Sequence, residues 1–285
     1  MIDKSPLVSV GIPTYNRPEG LRKTLQCIIA QSYRNLEILV SDNCSTNCDV
    51  ERVVKEFIKK DKRIYFYRHA QNLGPSFNFK FVLEKANGNY FMWAADDDSW
   101  EKEYVEKNLY NLLKNENAIL SVSRVSLNGK SNNDSLSIGT SEIKGHDKII
   151  RFKQYLTYPS PSYNSRFYGL IKTEYLKKCV PDKNFFASDW AIMLNLLKFG
   201  DFIEYNENLM SRNTFGISSS HKILVNYYSL NKIKRYLPFM DFTIYVLKEH
   251  GFYTLLHIFS LLFKWNKYFF KLSYNEFKNG RFKLP

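Results

Sequence analysis

The first hundred residues alternate between short apolar runs and longer amphipathic stretches. Each short run is rich in β-branched or aromatic residues and ends in a polar cluster, which is typical of a strand. The stretches between these runs carry apolar residues three or four positions apart, which is typical of a helix. The pattern predicts strands at residues 7–12, 36–40, 64–67 and 90–94, and helices at residues 17–30, 50–58, 75–86 and 101–113.

Strands that alternate with helices indicate right-handed crossovers and a parallel sheet. The strands are nearly continuous apolar runs, as expected when helices cover both faces of the sheet. We therefore predict an α/β fold with a mostly parallel sheet flanked by helices. Ligands of such sheets bind at the carboxyl ends of the strands, where the polar clusters of this sequence fall.

The pattern changes along the rest of the chain. Residues 128–144 are rich in Gly, Ser and Asn, which predicts a loop, and residues 190–199 form a predicted helix that ends at Gly200. Beyond residue 220 the chain reads as long helical segments rich in Tyr, Phe and Lys. This change predicts a separate C-terminal helical region at residues 221–285.

Composition and charge narrow the function classes. Hydrophobic residues make up 44 % of the 285 positions and charged residues 24 %, which excludes a disordered or collagen-like chain. The net charge is +13, and residues 222–285 carry 11 basic and 3 acidic side chains. A basic excess of this size favours anionic partners.

The cysteines and apolar runs bear on the cellular compartment. The four cysteines (Cys27, Cys44, Cys48 and Cys179) have no C-x-x-C spacing, which favours a reduced, cytoplasmic protein over a zinc or disulfide protein. The N-terminal apolar run is too short for a signal peptide. The longest uncharged C-terminal stretch, residues 250–263, is shorter than the roughly 18 residues that span a bilayer. We therefore expect neither secretion nor a transmembrane segment.

Three consecutive acids, Asp96, Asp97 and Asp98, follow the fourth predicted strand. Adjacent carboxylates repel one another unless a cation neutralises them, and Mg²⁺ or Mn²⁺ commonly links carboxylates to substrate phosphates. The alternative is a solvated turn that caps the next helix, although a cap needs only one acid. We favour metal binding.

Three further positions are candidates for chemistry. Asp42 follows the second strand and either binds a ribose or base or forms a local turn. Asp189 begins a predicted helix, where it is either a first-turn acid stabilised by the helix dipole or a general base. Arg212 and His221 flank a Ser-rich loop, which either closes over a diphosphate or is an ordinary surface loop.

No glycine-rich phosphate-binding motif, either G-x-x-x-x-G-K-[ST] or G-x-G-x-x-G, is present in the sequence. Several other motifs match a known family in order and spacing: VSVGIPTYNRPEGLRKTLQCIIAQSYRNLEILVSDNCST, then NLGPSFNF, then ANGNYFMWAADDD, and more thinly FFASDWAIMLNLLKFGDF. With these motifs the sequence resembles glycosyltransferase family 2, most densely over residues 6–113. The resemblance implies a Rossmann-like GT-A fold.

The resemblance also implies a reaction: transfer of a sugar, with inversion, from a nucleotide-diphosphate sugar to a hydroxyl of a glycan or glycolipid acceptor, dependent on Mn²⁺ or Mg²⁺. Residues 1–220 would form the catalytic domain, with a nucleotide-sugar half at residues 1–113 and an acceptor half at residues 114–220. The abundance of Lys, Asn, Ile, Phe and Tyr suggests an AT-rich bacterial genome, and with it a role in surface polysaccharide or glycolipid assembly.

Carried over position by position, the resemblance assigns roles to individual residues. Asp189 would be the general base, and Asp96, Asp97 and Asp98 would hold the metal, with Asp96 also on the ribose and either Asp97 or Asp98 as the main metal ligand. The nucleotide sugar would contact Pro13, Thr14, Tyr15, Asp42, Asn72, Gly74, Asp96 and Arg212. Two positions depart from the family pattern, because Ala95 stands where many relatives have Asp and Ser188 stands where a Glu usually precedes the base.

A helix written over residues 252–271 has one narrow polar stripe on an otherwise apolar surface. The stripe consists of Thr254, His257, Ser260, Lys264, Lys267 and Lys271. Such a helix either lies in an anionic membrane interface, which makes the protein peripheral on the cytoplasmic membrane, or packs on the catalytic domain or on a second subunit.

Two other functions compete with catalysis. A non-catalytic module that only binds sugar nucleotides would keep the same fold. A basic, aromatic-rich chain also suits nucleic-acid binding, but three adjacent aspartates at the strand ends would repel a polyanion. We therefore expect no nucleic-acid partner.

Overall fold

The computed structural model describes residues 5–128, 135–138, 142–157, 161–213, 234 and 237–278. The chain divides into two compact units. We call the first the sheet unit (Met1–Lys144, Ser160–Lys178 and Phe199–Asn213) and the second the helical unit (Gly145–Pro159, Cys179–Lys198 and Thr214–Pro285). The predicted boundary at residue 220 lies outside the described residues.

Nine strands of the described chain form one sheet in the order β3-β2-β1-β4-β8-β6-β9-β5, with β7 beside β6. The strands are β1 (Val8–Thr14), β2 (Leu36–Asp42), β3 (Ile64–Arg68), β4 (Tyr90–Trp93), β5 (Ser99–Trp100), β6 (Ala118–Asn128), β7 (Ser135–Ile138), β8 (Leu170–Lys172) and β9 (Asp201–Asn213). The helices are α1 (Pro18–Ile29), α2 (Asp49–Ile58), α3 (Pro75–Glu84), α4 (Tyr104–Lys114), α5 (Lys148–Thr157), α6 (Thr173–Lys177), α7 (Ser188–Leu196) and α8 (Met240–Lys278), and a 3₁₀ segment covers Pro161–Tyr168.

The first four strands confirm the predicted alternation of strands and helices. β1 pairs in parallel with β2 and β4, and β2 pairs in parallel with β3. β1 and β2 are buried along their whole length, as expected for strands covered on both faces. Thr14 aligns with Asp42 and Asp42 with Arg68, so the polar strand ends form a row at one edge of the sheet.

The second half makes the sheet mixed, although the long pair of β6 and β9 is parallel, so that parallel pairing still predominates in the sheet as predicted. β8 runs antiparallel to both β4 and β6, β5 runs antiparallel to β9, and β6 runs parallel to β9. Polar side chains interrupt β6 and β9, so neither strand forms an apolar run that the sequence pattern could predict. The predicted loop at 128–144 is also wrong in part, because it contains β7, which pairs with the end of β6.

The core of the sheet unit explains why the helices form where the periodicity predicted them. α1 buries Leu21, Leu25 and Ile28, which recur at helical spacing, and α2 likewise buries Val50, Val53, Val54 and Phe57. These side chains join those of β1 and β2 in one cluster. Full burial of each such side chain stabilises the fold by about 1.5–3 kcal/mol.

The helical unit is built around aromatic side chains. The rings of Phe239 and Phe269 lie 5.2 Å apart, and Trp190 meets Trp265 edge to face at 4.8 Å. Trp265 also donates a hydrogen bond from Nε1 to the Leu156 carbonyl, which joins α8 to α5. α8 bends at Gly251, whose φ of 83° is not helical, and we call residues 252–278 its C-terminal arm. No helix in the described residues is long and apolar enough to cross a membrane.

Candidate active site

The aspartate run lies at the end of β4, beside the end of β1. Ala94 N donates to the Gly11 carbonyl, which fixes the chain after β4 against β1. The Thr14 hydroxyl at the end of β1 donates to Asp96 Oδ2 at 2.8 Å. The two strands thus bring together residues that are 82 positions apart in the sequence.

A single guanidinium nitrogen joins two of the three aspartates. Arg17 Nη1 donates to Asp96 Oδ1 at 3.1 Å and to Asp97 Oδ2 at 2.7 Å. Arg17 is the N-cap residue of α1, and Pro18 follows it as the first helical residue. Pro18 suits that position because its fixed φ fits the helix and its missing N–H would have no partner there.

α1 lies directly against the backbone of the aspartate run. A Cβ atom placed on Gly20 would lie 2.0 Å from the Asp96 carbonyl oxygen. Only glycine permits this approach. The residue therefore fixes the distance between the start of α1, with Arg17, and the carboxylates.

The three carboxylates differ in exposure and in partners. Their side chains are 10 % (Asp96), 25 % (Asp97) and 2 % (Asp98) exposed. Burial raises the pKa of Asp96 to about 6, although the Thr14 hydrogen bond and the Arg17 charge oppose the shift. Asp98 instead pairs with Arg212, whose Nε lies 3.4 Å from Asp98 Oδ2.

Three contacts hold Arg212, a residue of β9. Besides the ion pair with Asp98, its Nη1 donates to Ser165 Oγ at 3.2 Å. The guanidinium carbon lies 4.8 Å from the ring centre of Tyr168, within cation–π range. The structure thus brings Arg212 to the aspartate run, whereas its predicted companion His221 lies outside the described residues.

Asp42 is fully buried at the end of β2. Its Oδ1 accepts hydrogen bonds from the backbone N and the hydroxyl of Ser45, so Asp42 does form the local turn considered above. Arg68 Nε lies 3.5 Å from the other oxygen, Oδ2. Within the described part of the chain, Oδ2 accepts no hydrogen bond.

The remaining predicted nucleotide-binding residues lie near the same edge. Asn72 Oδ1 accepts hydrogen bonds from Asn43 Nδ2 and from Gly74 N, both at 2.9 Å. Gly74 precedes α3 with a φ of 85°, a conformation that favours glycine. Pro13 is buried within β1, and the Tyr15 side chain after β1 is 38 % exposed.

Comparison with known proteins identifies the family. Residues 9–179 match the model of the Glycosyl transferase family 2 domain. The chain belongs to glycosyltransferase family 2. TuaG of Bacillus subtilis, named for teichuronic acid biosynthesis, is 32 % identical over 109 residues, which cover 38 % of this chain and 43 % of TuaG. The chain thus spans less than half of this relative.

A longer match and two solved structures agree. A Campylobacter jejuni protein named GalNAc(5)-diNAcBac-PP-undecaprenol β-1,3-glucosyltransferase is 27 % identical over 237 residues, covering 80 % of this chain and 74 % of that protein. TarS 1–349 of S. aureus in complex with UDP has a TM-score of 0.58 at 16 % identity, covering 85 % of this chain and 72 % of that one. The mannosyltransferase PcManGT from Pyrobaculum calidifontis has a TM-score of 0.58 at 14 % identity, covering 99 % and 78 %. The two structures show that this family 2 chain has the GT-A fold.

Asp189 lies in the helical unit, in the first turn of α7, and is half-buried. Ala187 occupies the N-cap with a φ of 69°, so Asp189 is a first-turn residue and not the cap. Ser188, which departs from the family pattern, accepts a hydrogen bond from Phe185 N at 2.8 Å through its hydroxyl. The departure therefore has a structural role in starting the helix.

Sequence reasoning missed two residues of this candidate site. One is Arg17, which the sequence does not distinguish from other surface cations. The other is Asn78 of α3, whose Nδ2 donates to the carbonyls of Ser41 and Thr14 and so ties the ends of β1 and β2 together. The sequence could have indicated Asn78, because an amide side chain on the buried side of an apolar helix must form hydrogen bonds.

The carboxylate pair fits a divalent cation. Asp96 and Asp97 supply hard oxygen ligands and already share one cationic group, the Arg17 guanidinium. Among the described residues no three His, Cys, Asp or Glu side chains are grouped to hold a metal ion. Mg²⁺ commonly takes one or two carboxylates and completes its shell with substrate phosphates and water. The donor set therefore suits a cation that binds together with a phosphate ligand.

Proposed function

We propose that this chain is an inverting glycosyltransferase that moves a sugar from a nucleotide-diphosphate donor to a hydroxyl of a glycan or lipid-linked glycan. The proposal depends on one observation: Thr14, Asp42 and Asp96 form a row along the strand ends. The Arg17 guanidinium already pairs with the carboxylate of Asp96 in this row. Such a row provides acceptors for a nucleoside and a cationic environment for a diphosphate at the edge where α/β sheets bind ligands.

The nucleoside part of the donor occupies the ends of β1 and β2. Asp42 Oδ2 has capacity for a hydrogen bond from an N–H of the base, and the exposed ring of Tyr15 offers a stacking surface. Asp96, fixed by Thr14, accepts from the ribose. Pro13, Asn72 and Gly74 shape the surrounding turns.

The diphosphate lies next to the aspartate run. Asp97 would be the principal ligand of a divalent cation, since its carboxylate is the most exposed of the three, and Asp96 and Asp98 would help to hold it. When bound, Mn²⁺ or Mg²⁺ supplies positive charge that stabilises the departing diphosphate. Arg212, held beside Asp98, adds a guanidinium that can pair with a phosphate oxygen.

Asp189 acts as the general base. The dipole of α7 stabilises a carboxylate in its first turn, which is the form that accepts a proton. The acceptor hydroxyl gives its proton to Asp189 while its oxygen forms a bond to the anomeric carbon. The bond to the diphosphate breaks on the opposite face, and its electron pair leaves with the nucleotide.

The relatives support the substrate classes. TarS has been solved with UDP and UDP-GlcNAc, and PcManGT with GDP-Man and Mn²⁺. The name of the Campylobacter protein gives it an undecaprenol-linked acceptor. We extend these classes to this chain, and propose a role in bacterial surface polysaccharide assembly at the cytoplasmic face of the membrane.

Calorimetry and donor hydrolysis test the proposal. UDP and GDP are titrated separately, in Mn²⁺ and in EDTA, and nucleotide release from the matching nucleotide sugar is then followed. We expect binding of one nucleotide to require Mn²⁺, and Asp97→Asn to lose this Mn²⁺-dependent binding. Asp189→Asn should keep nucleotide binding and lose about 10²–10⁴ in transfer rate.

The outcomes separate the alternatives. Nucleotide binding without any hydrolysis or transfer would identify a non-catalytic sugar-nucleotide module. Equal affinity in Mn²⁺ and in EDTA would refute the cation site. Full turnover by Asp189→Asn would show that Asp189 serves only to start α7.

A further inference from the structure

The C-terminal arm of α8 is divided lengthwise into three stripes. One is buried and consists of Thr254, Ile258, Leu262, Trp265 and Ser273. Thr254 was predicted to belong to the polar stripe, but the structure places it here, where its hydroxyl donates to the His250 carbonyl. The buried stripe fixes the rotation of the arm, so the other two stripes have a defined orientation.

The second stripe is apolar and exposed. Six large side chains are 43–65 % exposed: Phe252, Leu256, Phe259, Phe263, Phe270 and Tyr274. On an ideal helix they fall within a sector of about 60°. Single exposed apolar residues are common on protein surfaces, but six large apolar side chains aligned on one face of a helix mark an interaction surface.

The third stripe is basic and borders the second. Lys264, Lys267 and Lys271 are exposed and share this side with His257 and Ser260. On an ideal helix the stripe lies about 90° from the exposed apolar row. The sequence from 252 to 275 contains no Asp or Glu, so no acid on this part of the arm offsets the lysines.

We infer that this face of α8 docks on the surface of an anionic lipid bilayer. The apolar row is mostly aromatic, and aromatic side chains favour the boundary between acyl chains and headgroups. The adjoining lysines would lie at the level of the lipid phosphates. The arm would lie in the plane of the membrane.

Charge complementarity favours lipid over a second copy of the chain. Each copy carries a net charge of +13, and an isologous contact would bring the same basic stripe of both copies to one interface. Like charges brought together in this way oppose association. An anionic bilayer instead gains a favourable contact from each lysine.

This inference goes beyond the proposed transfer reaction and does not depend on it. Each lysine near an anionic surface strengthens binding about fivefold, so three contribute about 100-fold at low salt. The electrostatic part weakens at high ionic strength, because the Debye length falls to about 8 Å at physiological salt. The apolar row keeps a smaller, salt-insensitive contribution.

Vesicle flotation of the full chain tests the inference. The vesicles contain either phosphatidylcholine alone or phosphatidylcholine with about 30 mol % of the anionic lipid phosphatidylglycerol. We expect co-flotation only with the anionic vesicles. The variant Lys264→Gln/Lys267→Gln/Lys271→Gln should bind about 100-fold more weakly. The matched control Lys59→Gln/Lys60→Gln/Lys62→Gln removes the same charge from exposed positions of the sheet unit and should bind as the wild type does.

A second variant, Phe259→Ser/Phe263→Ser, tests the apolar row at positions where the side chains are exposed and folding is not expected to change. Thermal melting and nucleotide binding report on folding and on the active site, so loss of vesicle binding alone separates this inference from the proposed function. Equal flotation of the lysine variant and its control would overturn it. So would a dimer of the wild type that the Phe259→Ser/Phe263→Ser variant dissolves, with no binding to anionic vesicles.

Discussion

Replacing Gly20 with alanine tests how closely the fold holds the aspartate run. In an exposed helix Gly→Ala is stabilising by about 1 kcal/mol, because alanine loses less backbone entropy. Here the new Cβ would lie 2.0 Å from the Asp96 carbonyl oxygen, and Cβ atoms do not approach another atom closer than 3.0 Å. The two atoms nearest to the new Cβ are the backbone O and C of Asp96, which cannot move aside as a flexible side chain would. The backbone of α1 or of the aspartate run must therefore move by about 1 Å.

The two effects have opposite signs, and the contact should prevail. Overpacking against rigid structure costs about 1–3 kcal/mol, so after the gain of about 1 kcal/mol we expect Gly20→Ala to lower the free energy of unfolding by up to about 2 kcal/mol net. A shift of about 1 Å in catalytic groups can also cost about 10²-fold in rate. Nucleotide affinity in Mn²⁺ should fall, because Asp96 and Arg17 no longer keep their present spacing.

Urea unfolding and calorimetry measure the two effects. Glu19→Ala is the matched control, since it changes an exposed residue in the same turn of α1 and should alter stability by only a few tenths of a kcal/mol. A Gly20→Ala protein that is more stable than the wild type and binds nucleotide equally well would refute the close approach of α1 to the aspartate run.

Three further substitutions have expected outcomes. Glu37→Gln should lower the free energy of unfolding by about 1–3 kcal/mol in urea unfolding, since the buried Glu37 carboxylate accepts hydrogen bonds from Ser9 Oγ, Asn87 N and Gly88 N; the exposed Glu84→Gln is its control. Burial lowers the pKa of His250 from 6.5 to about 4, so the unfolded chain takes up a proton below pH 6.5 that the fold excludes. Stability should therefore fall by about 2 kcal/mol between pH 8 and pH 5, and His250→Phe should remove that part of the pH dependence. Arg17→Gln should strengthen Mn²⁺ binding in the absence of nucleotide, because the guanidinium no longer competes for Asp96 and Asp97. The measurement is the loss of the electron paramagnetic resonance signal of free Mn²⁺. Unchanged binding would show that the cation and Arg17 occupy separate places.

The grouping of the proposed nucleotide-binding residues at one edge was predictable, because these residues lie at the strand ends. Thr14, Asp42 and the aspartate run each follow a short apolar strand directly, and parallel pairing aligns such ends at one edge. The hydrophobic pattern therefore located the residues before any contact was known. The family resemblance added roles to positions that the pattern had already grouped.

The second half of the sheet was not predictable from periodicity. β9 reads DFIEYNENLMSRN, with charged and amide side chains at several positions, and it is recognisable as a strand only through its pairing with β6. β5 has two residues, too few for any period. Pairing between distant segments, and not local preference, determines these elements. For the same reason the partner of Arg212 could not be identified from the sequence.

The aspartate run shows how consecutive residues can serve different partners. In the structure Asp96 and Asp97 share Arg17, and Asp98 pairs with Arg212. The chain turns between β4 and β5, so neighbouring side chains leave it in different directions. The repulsion between the acids is thus relieved by two arginines, one from the start of α1 and one from the end of β9. A diphosphate that approaches Asp97 with a divalent cation would meet positive charge from both of these elements. This arrangement would allow the proposed site to attract an anionic donor despite its three carboxylates.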